Sequence, residues 1–231
     1  MGFAPLCSVD LSLSDLNVTA VIINHQTSAL TQRAIESLHR HYPGIQLLLI
    51  DNGSRDASLE VLSEWESKHP PTVVLRNPKN LYHGPAMHQA FEHCKSDFVL
   101  FLDSDCEIIR GGFIELMLDR AEKAERCYAV GRLVCMNNRG FEVKSGPTAI
   151  TYIHPNCMLV RKSMYRTLPP FVHHGTPCLD NMRAAGLSGY SLVDFPTGTY
   201  VVHRGRGTAG RYGYGLGIRG RINHVLNKFG L

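Results

Sequence analysis

At 231 residues, 44% hydrophobic and 19% charged, the chain has a globular composition and the length for one large core or two small ones. Its formal net charge of +4 contains no run of five or six like charges, which argues against a long nucleic-acid partner and for an anionic small ligand. No stretch approaches the roughly 20 apolar residues of a membrane span.

The N-terminus "MGFAPLCSVD" lacks the charged and apolar blocks of a secretory signal, and Leu6 stands where a myristoylation motif needs Ser or Thr. Cys7, Cys94, Cys106, Cys127, Cys135, Cys157 and Cys178 are odd in number and scattered, with no C-x-x-C pair and no zinc-like spacing. They read as reduced core residues of a cytoplasmic protein, soluble or peripheral to a membrane.

Four short apolar runs follow: "VTAVII" (18–23), "IQLLLI" (45–50), "TVVLR" (72–76) and "FVLFL" (98–102). Their continuity predicts strands covered on both faces. Helical patterns separate them. Leu30, Ala34 and Leu38 recur behind Ser28; Leu59, Leu62 and Trp65 share a face; Met87, Ala90, Phe91 and Cys94 follow Pro85 at helical spacing. The alternation predicts an α/β fold with a parallel core. Beyond residue 110, "GGFIELMLDRAEKAER" predicts an exposed helix and "YAVGRLVCMNNRGFEV" a hairpin turning at Asn138 to Gly140. "NCMLVRKSMY" predicts a strand entering a helix, so the second half is expected to complete the same sheet. The Gly/Arg-dense "RGRGTAGRYGYGLGIRGR" runs into a stripe of Ile218, Ile222, Val225, Leu226 and Phe229. That stripe suits docking on its own core or on a second subunit more than an interfacial membrane helix.

Ligands of open α/β sheets bind outside the carboxyl ends of the strands. Three strands here end in polar residues: Asn24 to Gln26, Asp51 to Asp56, and Asp103 to Asp105. Carboxylates gathered at one sheet edge repel unless a cation sits among them, and at a turn Asp103 and Asp105 can face one ion.

In their order, "IDNGSRDAS", "NPKNLYHGPAMHQA", "DFVLFLDSD", "PNCMLVRKSMY" and "FPTGTYVVHRGRGT" resemble the inverting family 2 glycosyltransferases of the GT-A fold, over roughly residues 18 to 208. The resemblance implies one Rossmann-like domain over residues 1–231, its mostly parallel central sheet flanked by helices and followed by a mixed C-terminal part. Residues 18–110 would form a nucleotide-binding half, 111–208 an acceptor-binding half, and 209–231 a lid and C-terminal helix. It further implies transfer of a sugar from a nucleotide diphosphate sugar, UDP-linked by family habit, to a saccharide or lipid-linked acceptor, with Mn²⁺ or Mg²⁺ as cofactor.

The site residues carry over position by position. Asp103 and Asp105 would hold the cation, Asp103 lying near the ribose, with His203 completing the shell. Asp51 would read the base. His25 and Gln26 replace the family's Tyr-Asn, Asn80 keeps its loop position, and Tyr82 and His83 replace a Gly-Phe pair. Ser104 would line the donor site, and Arg204 and Arg206 would hold phosphate. His88 is expected on a solvated helix face. The family's E-D base motif is degenerate here: Asp180 is the one acid in "HHGTPCLDNMRAAGLSGY", with Asp194 and Glu142 as alternatives. A non-catalytic nucleotide-sugar binder remains the chief rival. An aspartyl phosphatase fits less well, because its D-x-D sits on the first strand followed by Thr or Val, where this chain has Cys106 and Glu107. A sugar nucleotidyltransferase would need glycines that "INHQTS" lacks.

Overall fold

A computed structural model describes residues 17–172 and 175–204. The expectations for the N-terminal segment, Arg206, the Gly/Arg-rich segment and the C-terminal stripe lie outside the described residues.

The first half alternates strand and helix: β1 (Val18–Asn24), α1 (Ser28–His41), β2 (Gln46–Asn52), α2 (Ser58–Lys68), β3 (Thr72–Asn77), α3 (His83–His93) and β4 (Phe98–Asp103). Then come β5 (Cys106–Ile108), α4 (Phe113–Lys123), β6 (Cys127–Met136), β7 (Ile150–Arg161), the single turn α5 (Lys162–Tyr165), α6 (Leu179–Leu187), β8 (Ser191–Asp194) and β9 (Val201–His203). One seven-stranded sheet runs through both halves in the order β3-β2-β1-β4-β7-β6-β8, and β5 pairs with β9 in a separate ribbon. The strand pairs β1–β2, β2–β3, β1–β4 and β6–β8 are parallel, whereas β7 is antiparallel to both β4 and β6.

Alternation along the strands divides two apolar layers. Val18, Ala20 and Ile22 of β1 join Phe98, Leu100 and Leu102 of β4 beneath α1 and α4, with Ile35, Leu38, Phe113 and Met117. Val21, Val99 and Phe101 face the other way, onto Met87, Ala90, Phe91, Tyr165 and Met182. Each fully buried Val, Leu, Ile, Phe or Met among them contributes about 1.5–3 kcal/mol, which is why the runs carry no polar alternation.

Four local expectations change. β3 is an edge strand, so Val73 is 53% exposed rather than covered on both faces. α4 is amphipathic, burying Phe113, Ile114, Met117 and Ala121. The turn at Asn138 to Gly140 is present, but its returning arm is a single bridge from Glu142 to Met136, and β6 pairs chiefly with β7. His88 is half-buried, its Nδ1 2.7 Å from the Tyr165 hydroxyl, because α5 closes over that face of α3.

Candidate functional site

The order of the parallel strands reverses between β1 and β4, which places a crevice at their carboxyl ends. Asn24 pairs in register with Asp51, and Ile23 with Asp103, so the three polar strand ends meet there. Asn24, fully buried, is the hub. Its Nδ2 donates to Asp51 Oδ1 at 3.1 Å and to Ser54 Oγ at 3.0 Å; its Oδ1 accepts from the hydroxyls of Thr27 at 3.0 Å and Thr31 at 2.6 Å. The amide of Ser54, three residues on, donates to Asp51 Oδ2 at 3.0 Å and holds the carboxylate in place. Both oxygens of Asp51 thus have one protein donor, and a carboxylate accepts about four, so lone pairs remain for a base N–H, but at 1% exposure the carboxylate meets one only after its loop shifts.

The neighbouring loop is built the same way. Asn52 Nδ2 donates to Asn80 Oδ1 at 3.0 Å and to the Tyr82 carbonyl at 3.3 Å, while its Oδ1 accepts from Asn77 and from the Leu81 amide. Gly53 sits at φ +72, and a Cβ there would lie 2.4 Å from the Lys79 carbonyl carbon, so no other residue fits without moving that loop. Tyr82 holds φ 68 and ψ 171, a conformation otherwise reserved for glycine. The loop therefore follows a glycine-type path with a tyrosine in place.

His25 Nδ1 is 2.9 Å from the Asn52 carbonyl, and Gln26 Nε2 is 3.2 Å from His25 Nε2. Gln26 has φ 55, and its amide donates to Ser54 Oγ. Ser104 Oγ lies 3.3 Å from the Thr27 hydroxyl.

The β5–β9 ribbon brings His203 back to the aspartates, with Nε2 3.2 Å from Asp105 Oδ1. Asp103 stands slightly apart, its Oδ1 3.5 Å from His83 Nε2. Carboxylate and imidazole atoms at this spacing are a fitting donor set for a divalent cation such as Mn²⁺. Cys106 joins them: Asp105, Cys106 and His203 offer ligand atoms all within 4.8 Å of one another. Burial and the adjacent Asp103 push the Cys106 thiol well above its ordinary pKa. Arg204 is held by Glu107, Nε to Oε2 at 2.7 Å, so engaging a phosphate requires it to exchange partners.

β7 pairs with β4 only from Cys157 onward, so residues 150–156 and the end of β6 overhang the crevice by roughly 20 Å. His154 lies on this arm in the field of Asp103, His203, Arg132 and Glu142. Burial first, then Arg132, lowers its pKa and favours the neutral ring. Asp180 opens α6 with its side chain 66% exposed and 3.7 Å from Arg183, which itself binds Asn138 at the far turn. Asp194 is a structural cap, accepting from the Leu133 amide where β6 bulges. Glu142 pairs with Arg132 at 3.5 Å.

Asn24, Asn52, His83, Cys106 and His154 were not among the site residues read from the sequence. For Asn24 and Asn52 the available signal was an amide ending an apolar strand. For Cys106 the signal was its place directly after Asp105, whereas His154 had none, because it owes its place to a pairing with chain far away.

A family model described as Glycosyl transferase family 2 matches residues 19–183. An undecaprenyl-phosphate 4-deoxy-4-formamido-L-arabinose transferase of Pseudomonas fluorescens is 37% identical over 79 residues, covering 33% of this chain and 22% of that protein. The chain spans less than a third of the length of the first curated relatives it matches. Among solved structures, GalNAc-T7 with UDP, GalNAc and Mn²⁺ has a TM-score of 0.69 at 15% identity, covering 90% of this chain and 46% of that one. A mannosyltransferase of Pyrobaculum calidifontis in complex with GDP-Man and Mn²⁺ has a TM-score of 0.58 at 15% identity, covering 78% and 55%. These likenesses establish the GT-A fold.

Proposed function

The chain belongs to glycosyl transferase family 2, and we propose that it transfers a sugar from a nucleotide diphosphate sugar, UDP-linked in preference to GDP-linked, to an acceptor oxygen with inversion. The observation that carries this reading is the Asp105–His203 pair, 3.2 Å apart beside Asp103 at the carboxyl edge of the sheet. Asp51 and the His25–Gln26 corner would receive the nucleoside, with Asn80 shaping their loop and Ser104 alongside. Asp103, Asp105 and His203 would hold Mn²⁺ or Mg²⁺, which when bound neutralises charge on the departing diphosphate. Arg204, released from Glu107, would add a bidentate phosphate contact, as would Arg206. The flat ring of His25 suits stacking on a base.

With a hydroxyl acceptor, Asp180 takes the proton. Asp180→Asn then lowers turnover by about 10²- to 10⁴-fold while UDP affinity stays at the wild-type level. One observation favours a second acceptor class: Asp180 is exposed and drawn to Arg183. A lipid-linked phosphate, the acceptor named for the Pseudomonas relative, is already an anion and needs no base, so Asp180→Asn would leave its glycosylation unchanged. UDP release from a panel of UDP- and GDP-sugars, with saccharide or polyprenyl phosphate acceptors, decides between them. Binding of the donors without turnover on any acceptor would leave a nucleotide-sugar binder.

A further inference from the structure

Cys106 is a group at the sheet edge that sugar transfer does not require. It directly follows Asp105 and stands opposite His203 in the β5–β9 ladder. Residues directly opposite in a ladder project from the same face, so thiol and imidazole share one side of the ribbon. Tetrahedral ligands on bonds of 2.0 to 2.3 Å lie about 3.3–3.8 Å apart. The Asp105–His203 separation of 3.2 Å is close to that spacing, and the whole trio spans no more than 4.8 Å. A shift on the order of 1 Å would bring the sulfur into the same shell. The Cys106 thiol is held by the Asn156 backbone carbonyl, to which it donates at 3.5 Å. That contact fixes the sulfur on the side of the ribbon that His203 shares.

We propose that Asp105, Cys106 and His203 form a three-ligand site for a thiophilic divalent cation, Zn²⁺ or Co²⁺, that competes with the Mn²⁺ or Mg²⁺ of sugar transfer. The proposal rests on the reading that Asp105 and His203 hold a cation. Soft thiolate selects Zn²⁺ and Co²⁺ over Mg²⁺ and Mn²⁺. As the metal–sulfur bond forms, the thiol proton leaves to solvent and no electron is transferred. Three protein ligands leave one tetrahedral position, fewer than an octahedral ion offers a diphosphate, so Zn²⁺ is expected to inhibit.

Titrating the full chain with Co²⁺ tests this. The expected result is a near-ultraviolet thiolate-to-cobalt charge-transfer band, which Zn²⁺ abolishes by displacement. Cys106→Ala loses the band and binds Zn²⁺ at least about 10-fold more weakly, the scale seen for removing even an outer partner of a metal ligand. The wild-type spectrum needs no variant, and His203→Ala, at an exposed position, must weaken the band should Cys106→Ala not fold. Co²⁺ binding without the band, lost in Asp105→Asn, overturns the thiol ligand and leaves the cation reading standing. Absence of Co²⁺ and Mn²⁺ binding, with or without UDP, overturns both.

Discussion

Asn24→Asp exchanges one side-chain nitrogen for oxygen without changing shape, and its consequence can be worked from the geometry. The new oxygen would face Asp51 Oδ1 at 3.1 Å, between positions that are 0% and 1% exposed. Two unit charges at that distance repel by about 5 kcal/mol at an effective dielectric constant of 20. Keeping the introduced carboxyl protonated is the cheaper course: from an ordinary value near 3.9, it costs about 1.4 kcal/mol per pH unit, or about 4 kcal/mol at pH 7. The sign follows from proton counting. The folded variant retains a proton that the unfolded chain releases, so stability falls as pH rises above about 4. The variant should be about 4 kcal/mol less stable than wild type at pH 7 and about 1.5 kcal/mol less stable at pH 5. That corresponds to roughly 8–16 °C and 3–6 °C in Tm for a chain of this size. Urea titrations at the two pH values measure both differences. A loss of the same size at pH 5 and pH 7 would refute the hub role given to Asn24.

Two further variants probe the rim. Tyr82→Gly removes a side chain from a backbone conformation that costs about 1–3 kcal/mol outside glycine, so thermal scans should show Tm rising by a few degrees; a fall would mean that ring contacts outweigh the strain. Glu107→Gln frees Arg204 from a partly exposed ion pair worth at most about 1 kcal/mol, so UDP affinity by calorimetry should improve up to about 5-fold. An unchanged or weaker affinity would show that Arg204 does not reach the phosphates.

The parallel half was legible because its signal is local: the runs ending at Ile23, Ile50 and Leu102 are strands buried on both faces, and the polar residues after them sit where the topology puts a ligand. The antiparallel half was less so. Nothing near Glu142 announces that β6 pairs with β7 instead of the chain following its turn, since that choice is made by Ile153, Met158 and Val160 packing under α6 and α3. The site divides the same way. Asp51, Asp103 and Asp105 follow strands directly, whereas the approach of His203 depends on a three-residue ribbon closing over a long intervening stretch. His83 escaped notice because it was read as a departure from a Gly-Phe pair, and only the start of α3 shows it turned toward Asp103.

If Asp105 and its neighbours hold a cation at this sheet edge, a nucleotide diphosphate binds there through that cation. Calorimetry of UDP binding tests it most directly, with wild type and Asp105→Ala each measured in Mn²⁺ and in EDTA. Two carboxylates at the crevice repel a diphosphate when no cation intervenes, so wild type should bind UDP in Mn²⁺ and lose that binding in EDTA. Asp105→Ala should bind at least about 10-fold more weakly in Mn²⁺, the scale for disturbing a metal's ligand set. UDP binding of equal strength in Mn²⁺ and in EDTA, unaltered in Asp105→Ala, would contradict the account.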